Sequence, residues 1–127
     1  MMESPQPPTL EQIFTGMRKA MGSVPTAVEK LARVEPAMVY EHLRSRAYAM
    51  PDQVPALDEE TRTLIYMAAA LAGSSPACVR AMADKARVQG ISREKIMETV
   101  KIVRFAMATR VIGDAEPIFA ALEKSAK

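Results

Sequence analysis

The chain has 127 residues, enough for one domain with a real core, and its 49% hydrophobic and 25% charged residues describe a globular protein rather than a disordered or membrane chain. A net charge of +2, from 17 basic and 15 acidic residues, lacks the basic excess that a nucleic-acid binder concentrates on one face. One cysteine forms no intrachain disulfide, and no charged segment followed by an apolar stretch and a cleavage site opens the sequence, so a cytoplasmic protein is expected.

The opening MMESPQPPTL has three prolines in its first eight residues, which predicts a loose tail over 1–8 and a domain over 9–127. From Thr9 the pattern turns helical: Leu10, Ile13, Phe14, Met17 and Met21 fall on one face, with Thr9 as N-cap and Gly22 as stop. A short second helix begins after Pro25. Pro36 opens a third at its first position, running through Met38, Val39, His42, Leu43 and Ala47 and ending before Pro51.

Asp58 caps a fourth helix that ends at Gly73. Ser75 and Pro76 make a cap and first-position pair for a fifth, closed by Gly90. Ser92 caps a sixth running to about Ile112, and Gly113 with Asp114 starts a last short one through Phe119 and Leu122. No window alternates as a strand does, so the expected fold is all-α, with six to seven helices in one domain. The longest apolar stretch, Leu64 to Gly73, is about half of what crosses a bilayer, and no membrane association is expected.

Two helices carry more apolar surface than a small monomer uses. LIYMAAALAG, from Leu64, is apolar around nearly its whole circumference, which predicts full burial. In the sixth helix, Ile96, Val100, Val103, Met107 and Val111 form one stripe, and Ile102, Phe105, Ala106 and Ile112 widen it. The surplus predicts an obligate homo-oligomer.

Few residues are equipped for chemistry. Cys78 falls at the third position of the fifth helix, near free N–H groups and the positive end of the helix dipole, an environment that favours a thiolate. The alternative is a small apolar residue packed among alanines. His42, the only histidine, is either a proton relay or an ordinary helix residue. Arg104 and Arg110, within IVRFAMATRVIG, either await a buried carboxylate or anionic ligand, or serve an interface ion pair or a snorkelling stem. Capping explains Asp58, Glu59 and Glu60. The ten methionines read as fillers of core and interface gaps. One His and one Cys do not assemble a zinc site, and neither metal nor cofactor is expected.

The string PALDEETRTLIYMAAALAGSSPACVRAMADKARVQGISREKIMETV, together with the chain from there to Ile112, resembles the carboxymuconolactone decarboxylase family, which includes the alkylhydroperoxidase D-like proteins. The upstream GSVPTAVEKLARVEPAMVYEHL extends the resemblance to Gly22. It implies the alkylhydroperoxidase D-like fold, a trimer or hexamer, and peroxiredoxin-type activity. In the peroxidase branch a Cys-x-x-Cys-x-x-x-His motif opens this helix and a glutamate precedes it by about a dozen residues; the second cysteine attacks peroxide, the first resolves it, and glutamate and histidine relay protons.

Laid on this chain, the attacking cysteine is Cys78, the resolving one is Ser75, the histidine is Met82 and the glutamate is Thr63. The decarboxylase branch also keeps a histidine where Met82 stands. Serine forms no disulfide, and methionine and threonine relay no proton, so a two-cysteine cycle is excluded. What remains is a one-cysteine cycle in which Cys78 is oxidised to a sulfenic acid and an external thiol reduces it. The other readings are a binding protein with an apolar pocket of Met82, Tyr66 and Met67 for a small organic or anionic ligand, and an oligomeric scaffold without chemistry.

Overall fold

The computed structural model describes residues 6–125, and the first five residues of the expected tail lie outside them. Seven α-helices and no strands are found among the described residues: α1 (Leu10–Met21), α2 (Thr26–Val34), α3 (Pro36–Ala49), α4 (Glu59–Ala72), α5 (Pro76–Gln89), α6 (Arg93–Asp114) and α7 (Glu116–Ser125). The all-α expectation therefore holds. None of these helices is long and apolar enough to cross a membrane.

The helix starts follow from their caps. Thr9 and Gln12 form a reciprocal capping box on α1, Asp58 accepts from the Thr61 N–H, and Ser92 accepts from the Lys95 N–H. Ser75 holds the cap position of α5 but its side chain makes no capping bond; Pro76 at the first helical position, whose missing N–H needs no partner, fixes that start instead. The break between α6 and α7 falls at Ala115, two residues later than the expected Gly113.

Helix ends turn the chain back on itself. Gly90 has φ +68°, and its N–H bonds to Arg87 O while the Ile91 N–H bonds to Ala86 O. This is the Schellman closure, with Ile91 and Ala86 packed together beneath it. Between α4 and α5 the link is only Gly73–Ser75, and Ser74 takes the left-handed conformation at φ 58°. So tight a turn forces α5 to run antiparallel along α4.

Two clusters make the core. Ile13, Ala32 and Val39 join α1, α2 and α3; Met67, Met82, Ala86 and Ile91 join α4 and α5, with Ile96 from α6 against them. Met21, at the end of α1, packs on the second cluster and couples the two halves. α6 buries only Val103, and α7 touches α6 and buries nothing.

This leaves the expected surplus in view. α4 is not buried all round in the single chain: Thr63, Met67 and Ala70 are, but Ile65 is exposed. Of the α6 stripe, Val103 is buried, Ile96, Val100 and Met107 are half-buried, and Val111 is exposed. Ile102, Phe105 and Ile112 are exposed, and α7 adds Ile118, Phe119 and Leu122.

Candidate functional site

The α4–α5 hairpin brings together residues equidistant from its turn. Tyr66 and Cys78 each lie six positions from Ala72, and the Tyr66 hydroxyl stands 3.7 Å from Cys78 Sγ. Either atom can donate the proton across that contact. Both residues are half-buried, within reach of a small reagent. The contact to Cys78 holds the Tyr66 phenol above its ordinary acidity range, burial adds to this, the charge of a thiolate acts the same way, and Arg46 opposes it. The phenol thus stays protonated at neutral pH beside the sulfur.

The two family relay positions have left the site. Thr63, one turn before Tyr66, is 2% exposed, and its Oγ1 donates to Gln89 Oε1 at 2.8 Å. Gln89 is the last residue of α5, so this bond ties the start of the hairpin to its far end. Met82, one turn after Cys78, is 8% exposed and packs with Met67, Ala86 and Ile91. Neither offers a proton. The expected pocket lined by Met82, Tyr66 and Met67 is corrected here, because both methionines are buried in the core cluster.

Ser75 is half-buried one turn before Cys78, at the position of the resolving thiol. His42 is exposed on α3, beside the Glu41–Arg44 ion pair, and no hydrogen bond links it to Cys78 among the described residues. Arg104 and Arg110 are exposed on α6, and Arg110 meets Asp114 at 3.9 Å. That carboxylate is itself exposed, so the expectation of a buried partner is not met for Arg110.

Two surface concavities are lined by residues other than the thiol. One, between the α1–α2 link and α5, is lined by Met21, Val24, Pro25 and Arg80; the other is an open groove along Arg87, Ile91, Arg93 and Met97. Neither includes Cys78 or Tyr66. Among the described residues no three His, Cys, Asp or Glu side chains gather as metal ligands.

Tyr66 is the neighbour of the thiol that the motif alone does not reveal. The peroxidase pattern points to Thr63 and Met82, whereas the residue on the thiol stands one turn beyond Thr63. The available signal is the hairpin register: once Gly73 and Ser75 are read as a minimal turn, Tyr66 and Cys78 must face each other.

A search of curated proteins returned no match to this chain. Residues 39–121 match the model of the carboxymuconolactone decarboxylase family, a span that starts within α3, later than the resemblance at Gly22, and ends within α7, beyond Ile112. It covers the α4–α5 hairpin, the thiol at the third position of α5 and the Gly90–Ile91–Ser92 turn into the long α6. With about two thirds of its length in that match, the chain belongs to the carboxymuconolactone decarboxylase family.

Proposed function

We propose that this protein is a one-cysteine, thiol-dependent peroxide reductase that works as a homo-oligomer in the reducing cytoplasm. The observation that carries the reading is the 3.7 Å contact between the Tyr66 hydroxyl and Cys78 Sγ. It supplies the proton that the absent histidine and glutamate would have handled.

In the cycle, the Cys78 thiol gives its proton to solvent and the thiolate attacks the terminal oxygen of a hydroperoxide. The S–O bond forms as the O–O bond breaks, and the departing alkoxide takes the Tyr66 phenol proton to leave as an alcohol. Tyr66 recovers a proton from water. An external thiol then attacks the sulfenic acid, releasing water and leaving a mixed disulfide, and a second equivalent of that thiol restores Cys78. Electrons balance: the peroxide gains two, and two external thiols give them up as a disulfide.

The homo-oligomer rests on a separate observation. Ile102, Phe105, Ile112, Ile118, Phe119 and Leu122 expose an apolar surface along α6 and α7, and α7 packs on α6 without burying any of its residues. A second copy covers it, giving a trimer or hexamer as in the family resemblance. The test of the catalytic reading is sulfenic acid trapping with dimedone after one equivalent of hydrogen peroxide: adduct at Cys78 in the folded protein supports it, and labelling only after unfolding overturns it.

A further inference from the structure

The turn from α5 into α6 builds a groove that the thiol pair does not use. Only Gly90–Ser92 joins the two helices, so the last turns of α5 and the first turns of α6 wall an open concavity of about 310 Å³, near the lower bound of roughly 300 Å³ for small-molecule sites. It is lined by Ala83 and Arg87 from α5, Ile91 from the turn, and Arg93, Ile96 and Met97 from α6. Helical spacing puts each contribution on one face: Arg87 follows Ala83 by one turn, and Ile96 and Met97 follow Arg93 by one turn.

The groove has an apolar base and a cationic rim. Ile91 is buried in the core cluster and Ile96 packs against it, which anchors the base to the interior, while Met97 is 38% exposed. Both arginines are exposed, no carboxylate lines the groove, and among the described residues neither arginine makes an ion pair within 4.0 Å. Arg87 also has a defined seat. Gly22 ends α1 at φ +86°, and a Cβ there would stand 3.1 Å from Arg87 Nη2, so the guanidinium lies beside the carbonyl end of α1, where the helix dipole favours a cation. A fork placed in advance loses little freedom on meeting a carboxylate, whose two oxygens it matches.

We propose that this groove binds a small amphipathic carboxylate, with its acid group on Arg87 and Arg93 and its hydrocarbon body over Ile91, Ile96 and Met97. Charge complementarity selects that occupant. A neutral apolar ligand would use neither guanidinium, a cation would be repelled by both, and a fully hydrophilic anion would leave the apolar base wet. Neither Cys78 nor Tyr66 lines the groove, so binding there needs no thiol chemistry.

The experiment is a calorimetric titration of the full chain with octanoate, with propionate and octylammonium as controls. It is repeated on Arg87→Met combined with Arg93→Met, on Met97→Glu, which gives the arginines an internal carboxylate, and on Cys78→Ser. Octanoate is expected to bind about tenfold or more tighter than either control, to lose about tenfold or more in the double methionine variant and in Met97→Glu, and to bind Cys78→Ser as it binds the parent. No octanoate binding, octylammonium as tight as octanoate, or equal octanoate affinity in the groove variants and the parent overturns the site, the last by placing the ligand elsewhere on the surface. Sedimentation of the double variant adds a further check: an unchanged oligomeric state is expected, and a shift toward smaller species would show that a second copy covers the groove and would overturn the small-molecule site. Failure of the thiol reading is read separately, as an inert Cys78 in a protein that still binds octanoate.

Discussion

Thr63 on α4 and Gln89 at the end of α5 are joined by a 2.8 Å hydrogen bond inside the protein, where the family's peroxidase branch holds a catalytic glutamate. One turn after the thiol, Met82 is likewise committed to packing. Both family relay positions here serve the hairpin's packing, and in the proposed cycle the proton comes from Tyr66.

Restoring the family histidine is therefore expected to damage the fold. Met82→His places a polar ring among Met67, Ala86 and Ile91 with no partner, and should lower stability by about 2–4 kcal/mol. Urea unfolding checks the loss. Peroxide turnover should not rise, since the imidazole replaces a buried side chain.

Tyr66 sets a pH dependence of stability. Its folded pKa is raised above the ordinary value of 10.0, so the folded protein holds a proton that the unfolded chain releases first. This contribution is complete below pH 10.0 and is lost as pH rises through the raised value. Tyr66→Phe should flatten that alkaline fall relative to the parent in denaturant midpoints taken from pH 9 to about 11.

Lys85 has the opposite sign. Burial first, and then Arg46, depress its folded pKa below 10.5, so the charged form opposes folding at neutral pH, and stability recovers as pH rises through the folded value toward the unfolded one. Lys85→Met is expected to raise the melting temperature at pH 7, measured by circular dichroism.

Much of this is legible in the residues. Thr9, Asp58 and Ser92 announce three helix starts, and Gly22 and Gly90 two ends, because caps and left-handed closures are local chemistry. The Ser75 side chain does not cap as its position suggests, because a proline at the next position fixes the helix start without it. α4 is less buried than its composition suggests, since periodicity reports which faces are apolar and not whether the partner comes from the same chain; Ile65 shows the difference. Cys78 is visible as a candidate, but its partner depends on hairpin register.

The apolar surface of α6 and α7 makes a quantitative demand on assembly. Phe105 is 74% exposed and Ile112 66% in the single chain. Paired charges, Phe105→Glu with Ile112→Glu, replace side chains that are mostly exposed in the single chain, so they should dissociate the proposed oligomer to monomer in sedimentation while leaving helical content unchanged.

The most direct measurement is the rate of Cys78 oxidation by hydrogen peroxide in the parent and in Tyr66→Phe, followed by dimedone trapping in the folded protein. A general acid contributes on the order of a hundredfold, so Tyr66→Phe should slow sulfenic acid formation by about that factor while the fold melts normally at pH 7. Equal rates in the two proteins, or no adduct on folded parent, would contradict the assignment of Cys78 and Tyr66 as the working pair.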